Sequence, residues 1–204
     1  MKTNTLDIRH MDCMELMKEF PDNHFDLAVV DPPYRDVNQP DQFMRANGSM
    51  KPLEGRPNKA YFLELARVSK EQIIWGANNF ELPQWKGFIF WKKRGISNEV
   101  HFSCGEVASL SEGLGTTAKV FEETVNQRNK IHPTQKTTTL YDWIFANYAE
   151  KGMKILDTHL GSGSSAIASH YAGMHLTACE LDEDYYKAAC ERIDRETSQT
   201  TFEL

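Results

Sequence analysis

The sequence predicts an α/β fold, doubly wound around a mostly parallel sheet, and three observations carry that expectation. In the C-terminal third, strand-like and helix-like segments follow one another closely, which calls for parallel strands joined by right-handed crossovers. Asp157–Ser165 sets two glycines, Gly161 and Gly163, between a strand and a helix. Phe25–Val30 is an apolar run of strand length that stops at Asp31-Pro32-Pro33-Tyr34.

The elements follow in order. Leu6–Met11 reads as a strand, and a helical stretch around Met14–Phe20 ends at Pro21. After Phe25–Val30, residues 35–58 hold three prolines and two glycines with little periodicity, so they are expected to form a long mobile loop. Tyr61–Val68 reads as a helix, and Gln72–Trp75, Gly87–Trp91 and Glu106–Leu110 as strands. Leu140, Ile144 and Tyr148 recur every four residues, marking one face of a helix over Thr138–Ala149. Met153–Leu156, Ser164–Tyr171, His175–Cys179 and Asp184–Arg195 complete the alternation of strand and helix. The 204 residues are read as one domain with a middle insertion over 92–130.

Composition narrows the function classes. Hydrophobic residues at 40% and charged residues at 25% describe a globular chain rather than a disordered one. The polar start MKTNTLDIRHMD lacks the apolar core of a signal peptide, and no apolar run approaches the roughly 20 residues that span a bilayer. Cys13, Cys104, Cys179 and Cys190 are scattered without a Cys-x-x-Cys pair, which fits reduced cytoplasmic thiols and neither a disulfide framework nor a zinc site. The net charge of −6 is uneven: residues 180–204 hold eight acids against three bases, which leaves the rest at −1. That balance argues against a tight non-specific DNA binder, not against an enzyme that meets DNA briefly. Residues 31–100 carry eleven bases against eight acids, with Lys92, Lys93 and Arg94 together. Such a run reads equally as a nucleic-acid contact and as a solvated strand end.

Two constellations carry chemistry. In Asp157-Thr158-His159-Leu160-Gly161-Ser162-Gly163-Ser164-Ser165 the glycines allow a tight turn and close approach to a ligand, while the helix N-terminus supplies free N–H groups. Glu180 ends the next strand 17 residues after Gly163, where a carboxylate suits the two hydroxyls of a ribose. Taken alone, this spacing also fits a dinucleotide site, although Ala166 stands after Ser165 in place of a third glycine. Asp31-Pro32-Pro33-Tyr34 is the second constellation. Its prolines remove two backbone donors and stiffen the chain, fixing a carboxylate, free carbonyls and an aromatic ring at the carboxyl edge of the sheet.

With these residues in hand, Asp31–Tyr34 resembles the catalytic motif of DNA amino-methyltransferases, and Asp157–Ser165 resembles their loop for S-adenosyl-L-methionine (AdoMet). Ile131-His132-Pro133-Thr134-Gln135-Lys136 is similar to a third signature of the family, placed just before the AdoMet loop. The order, catalytic motif first, resembles the permuted β class, and Asp-Pro-Pro-Tyr resembles its adenine-N6 members. The stretch Trp75-Gly76-Ala77-Asn78-Asn79-Phe80 through Phe90-Trp91-Lys92-Lys93 is similar to small bacterial and phage-type members. The resemblance covers roughly Asp7–Trp91 and Ile131–Arg195. It implies an AdoMet-dependent methyltransferase fold of Rossmann-like type with circularly permuted motifs, and a cytoplasmic enzyme encoded by a bacterium or phage.

Further roles follow from the resemblance. Asp31 and the Pro32 carbonyl would accept the two N–H bonds of the target amine, beside Pro33. Tyr34 would stack on a flipped-out base through its ring face, with its hydroxyl dispensable. Trp91 and Phe43 are the reserve platforms. Asp12, Cys13 and Leu181 would lie against the cofactor, Lys136 would neutralise its carboxylate, and Glu180 would take its ribose. Double-stranded DNA is the expected partner, met by Arg35, Lys92, Lys93 and Arg94. Residues 92–130 would form a short target-recognition element, completed by the 35–58 loop and a second subunit in a homodimer. No metal and no membrane is expected. Two departures stand out: Thr158 and His159 occupy places where proline and phenylalanine are usual. His159 would lie along the cofactor as a planar ring, weaken its binding or make it pH-dependent near its ordinary pKa of about 6.5, and a structural histidine is the competing reading. A cytosine-N4 enzyme, a silent AdoMet- or DNA-binding module, methylation of RNA or protein, and a nicotinamide oxidoreductase remain the alternatives. The oxidoreductase would leave Asp31–Tyr34 and His132–Lys136 without a role.

Overall fold

The computed structural model describes residues 1–34, 37–38, 53–83, 85–96, 103–124 and 130–198. Its strands are β1 (Leu6–His10), β2 (Phe25–Val30), β3 (Val37–Asn38), β4 (Leu53–Glu54), β5 (Ser69–Trp75), β6 (Gly87–Arg94), β7 (Gly105–Leu110), β8 (Ala118–Thr124), β9 (Lys154–Asp157) and β10 (His175–Glu180). Its helices are α1 (Cys13–Lys18), α2 (Lys59–Val68), α3 (Thr138–Tyr148), α4 (Ser164–Ala172) and α5 (Glu183–Thr197). Eight strands form one sheet in the order β1-β10-β9-β2-β5-β7-β6-β8. The pairings from β1 to β5 are parallel, β7 runs antiparallel to both neighbours, and β6 pairs β8 in parallel. The expected α/β fold with a mostly parallel sheet is therefore observed.

Helices cover both faces, which is why the central strands read as continuous apolar runs. Along β2, Leu27 and Val29 pack into the core beneath α3, α4 and α5, with Ile144, Phe145, Ile167 and Ile193. Ala28 and Val30 point the other way, toward Leu16 and Met17 of α1 and Leu65 of α2. Four helices begin at a side-chain cap: Asp12, Asn58, Thr137 and Asp182 each accept backbone N–H bonds from the first turn. α4 begins instead at Gly163, with φ 79° and no side-chain cap. None of the described helices is long and apolar enough to cross a membrane.

Three sequence expectations shift. Residues 118–124, read as part of an insertion, form the edge strand of the main sheet beside β6, and Gly105–Leu110 lies inside the sheet between β5 and β6. β8 escaped notice because its residues alternate between exposed and half-buried, with none fully buried. β6 runs on to Arg94 rather than ending at Trp91. Within 35–58, β3 and β4 pair antiparallel, and residues 39–52 lie outside the described residues.

Candidate active site

Parallel strands in register bring the candidate residues to one edge. His10 pairs with Glu180, Ala178 with Asp157, and Ala28 with Leu156. The segments that follow β1, β10, β9 and β2 therefore share one edge: Asp12-Cys13, Glu180-Leu181, the glycine loop and Asp31–Tyr34. From β9 the chain continues to its neighbour β10 on one side, while β2 continues to β5 on the other. Ligands in open α/β sheets bind where the path divides in this way. A cavity of about 450 Å³ opens at this place, within the roughly 300–1,000 Å³ usual for small-molecule sites.

On the β9–β10 side the glycine loop forms a wall. Thr158, His159, Gly161, Ser162 and Ser164 line the cavity. Asp157 is buried beneath them, accepting bonds from the His159 N–H (3.0 Å) and the Ser165 hydroxyl (2.5 Å), so it shapes the loop from below. Burial raises its carboxyl to about 7, against the opposing effect of those two donors. Gly163 is needed where it stands, since a Cβ there would lie 2.8 Å from the Ile193 side chain. Gly163 and Ser165 thus support the loop, and neither lines the cavity. Glu180 accepts the Gly161 N–H (2.9 Å) and the Asp182 N–H (3.0 Å), and burial raises its pKa. Asp12, Cys13 and Leu181 also line the cavity, although Asp12 Oδ1 caps α1 through the Met14 and Glu15 N–H groups.

Arg192 of α5, buried, locks this loop from behind. It donates to the Ser162 carbonyl (3.0 Å), to Ser164 Oγ (2.9 Å) and to Glu196 (2.9 Å). A lone arginine in a helix has no local sequence signature, so Arg192 is not among the sequence candidates.

On the β2 side, Asp31, Pro32, Pro33 and Tyr34 line the cavity as expected, and the acid stands in a charged network. Lys136 Nζ lies 2.5 Å from Asp31 Oδ2 and 2.8 Å from Glu106 Oε2. Tyr34 donates its hydroxyl to Asp31 Oδ1 at 2.7 Å, and Lys93 pairs with the other Glu106 oxygen. The Lys136 ammonium also lies over the rings of Trp75 (5.2 Å) and Trp91 (5.8 Å), aromatic faces that favour a buried cation. Burial alone would lower the Lys136 pKa, but Asp31 and Glu106 raise it. Burial likewise works against the Glu106 carboxylate, and Lys136 with Lys93 overcomes it, holding Glu106 at about 2.

This network revises several roles. Lys136 lines the cavity, but its ammonium is paired with Asp31 and Glu106 rather than standing free for a cofactor carboxylate. The Tyr34 hydroxyl, thought dispensable, holds the acid. Glu106 was missed because a single acid in a strand has no local signature. The basic run of β6 is split by strand alternation. Lys93 turns inward to Glu106, while Lys92 and Arg94 flank Glu122 of β8 at 2.9 and 3.5 Å. Trp91 is only 2% exposed, so it cannot serve as a stacking platform. Arg35 and Phe43 lie outside the described residues.

His159 also departs from expectation. Burial moves its pKa down to about 4, so it is neutral at physiological pH and does not switch near 6.5. His132 lines the cavity with its ring 4.4 Å from that of Tyr185, and burial lowers its pKa to about 4 as well. Among the described residues, no group of three or more His, Cys, Asp or Glu is arranged to hold a metal.

Comparison with known proteins agrees with this fold. Residues 112–191 match the family model N6_N4_Mtase, DNA methylase. The putative methylase YubD of Escherichia coli (strain K12) is 23% identical over 201 residues, covering 89% of this chain and 87% of YubD. The solved M1.HpyAVI–SAM complex matches with a TM-score of 0.63 at 16% identity, over 93% of this chain and 99% of that one. The cytosine-N4-specific PvuII DNA methyltransferase matches with a TM-score of 0.65 at 12% identity, over 96% of this chain and 91% of that one. The chain thus carries, over residues 112–191, a segment matching the DNA methylase family, set within the fold of solved methyltransferases.

Proposed function

We propose that this chain is an AdoMet-dependent DNA amino-methyltransferase of permuted motif order that methylates the N6 amine of adenine. The observation that carries the reading is the shared cavity, with a glycine loop and Glu180 on one side and Asp31-Pro32-Pro33-Tyr34 on the other. The likeness to YubD, to M1.HpyAVI in complex with SAM and to the N6/N4 family model supports it.

The residues present fit AdoMet. Glu180 offers a carboxylate to a ribose diol, and the uncapped start of α4 leaves backbone N–H groups for an anion. When bound, AdoMet supplies a methyl group on a positively charged sulfur. The chain's own residues prepare the acceptor. An exocyclic amine is a poor nucleophile because its lone pair is delocalised into the ring. Asp31 and the Pro32 carbonyl accept its two N–H bonds, which draws the nitrogen toward tetrahedral geometry and frees the lone pair. Orientation of this kind contributes up to roughly 7–11 kcal/mol in intramolecular models. Lys136 and the Tyr34 hydroxyl hold the Asp31 carboxylate in place, one on each oxygen. Asp31 is then placed to take the proton the amine loses, or to pass it to water.

A base within a duplex cannot reach this cavity, so the target must be flipped out, with the Tyr34 ring beside it. Adenine is preferred because Asp-Pro-Pro-Tyr resembles the adenine enzymes; the cytosine-N4 alternative is favoured by the likeness to the PvuII enzyme. Incubation with radiolabelled AdoMet and DNAs of varied sequence, followed by nucleoside analysis, decides between them. Label in N6-methyladenine supports the proposal, whereas label only in N4-methylcytosine, RNA or protein rejects it.

A further inference from the structure

Thr158 and His159, the two departures in the glycine loop, form one hydrogen-bonded unit with Tyr61 of α2. The Tyr61 hydroxyl, on a residue 3% exposed, lies 2.6 Å from Thr158 Oγ1, which lies 2.9 Å from His159 Nδ1. The direction of this chain follows from counting hydrogens. Thr158 is the Tyr61 hydroxyl's hydrogen-bond partner in this buried setting, so Tyr61 must donate to it or leave its own hydrogen without an acceptor. Thr158 then spends its single hydrogen on His159 Nδ1. That nitrogen is therefore an acceptor, and the proton of a neutral imidazole sits on Nε2. His159 lines the cavity, and its Nε2 has no hydrogen-bond partner among the described residues.

We propose that His159 presents an Nε2–H donor to a ring nitrogen of the cofactor's purine, held in that tautomer by Tyr61 and Thr158. The proposal rests on reading the cavity as an AdoMet site. With Glu180 taking the ribose, the attached purine would meet Met11, Cys13, Leu181 and His159, which line the same cavity. The hydrogen-bond acceptors on a purine edge are its ring nitrogens. Burial keeps the imidazole neutral, as the scheme requires. His159 is thus a specificity residue for the nucleobase, and Tyr61 and Thr158 are positioning residues acting through it. A phenylalanine in place of His159 would keep the flat face and lose the donor.

Two measurements test this. Long-range proton–nitrogen correlation NMR on the ¹⁵N-labelled full chain at neutral pH, without ligand, should show the Nε2–H form at the signal that disappears in His159→Phe. Tyr61→Phe, which removes one oxygen, frees Thr158 to turn and should shift that signal toward the Nδ1–H form. Finding the Nδ1–H form in the parent protein, or no shift in Tyr61→Phe, overturns the relay. Calorimetry with S-adenosylhomocysteine and its 1-, 3- and 7-deaza analogues tests the contact itself. One analogue should bind the parent about three- to tenfold more weakly, as loss of one hydrogen bond implies, and His159→Phe should abolish that difference. Equal binding of all four by the parent overturns the proposal while leaving the AdoMet site standing. Failure of the parent to bind AdoMet or S-adenosylhomocysteine at all overturns the reading of the cavity, and the proposal with it.

Discussion

At the scale of single residues, the site depends on where charge is held. Asp31 receives a proton donor on each oxygen, Lys136 on Oδ2 and Tyr34 on Oδ1, and Glu106 shares both of them. Glu106 therefore governs how strongly Lys136 grips Asp31. In Glu106→Gln the ammonium keeps a single anionic partner, so a target amine must compete harder for Asp31. Turnover should fall while AdoMet affinity, set on the other side of the cavity, stays near that of the parent. Stability should fall by about 2 kcal/mol, the scale of one charged hydrogen bond. Calorimetry, turnover and denaturant melts check the three parts, and unchanged turnover would remove Glu106 from the account. For Tyr34 the ring and the hydroxyl have separate jobs. Tyr34→Phe should lower turnover by loosening Asp31 yet still flip a base, as 2-aminopurine fluorescence would report. Tyr34→Ala should also lose about 1–3 kcal/mol of stacking, partly recovered on DNA mismatched at the target. Equal behaviour of the two variants in base flipping would make Tyr34 structural only.

At the scale of elements, α5 acts as the backstop of the glycine loop. Arg192→Ala removes donors to the Ser162 carbonyl and Ser164 Oγ together with the pair to Glu196. It should cost about 2–3 kcal/mol of stability and weaken AdoMet binding, measured by thermal melts and calorimetry. Retention of both would show that the loop holds its own shape. Elements buried on both faces are legible in the sequence, because β2 and the β9-α4-β10 unit spell their apolar runs and turn residues directly. Edge strand β8 is not, since solvent on one side removes the need for an apolar pattern. The glycine loop, Glu180 and Asp31–Tyr34 were legible as local motifs. Glu106, Arg192 and Tyr61 were not, because their meaning comes from partners 30, 28 and 97 residues away in sequence. The split of Lys92, Lys93 and Arg94 was readable in principle, since neighbours in a strand face opposite ways.

At the scale of the whole molecule, one cavity at the division of the sheet does two jobs with two groups of strands. In the proposed function, β9 and β10 would hold the cofactor, and β2 with β7 would prepare the acceptor amine. A ligand that binds only the folded state raises stability by roughly 2.7 kcal/mol at 100 times its dissociation constant. AdoMet should therefore raise the melting temperature, and NAD should leave it unchanged; the reverse would point to an oxidoreductase. The most direct test of the divided site is Asp31→Asn, measured for AdoMet affinity by calorimetry and for methyl transfer to DNA on the same preparation. Asparagine keeps the shape and removes the charge that Lys136 and the target amine share. The account predicts AdoMet affinity close to that of the parent and turnover reduced to background. Substantial methyl transfer by the variant, or loss of AdoMet binding in a folded protein, would contradict it.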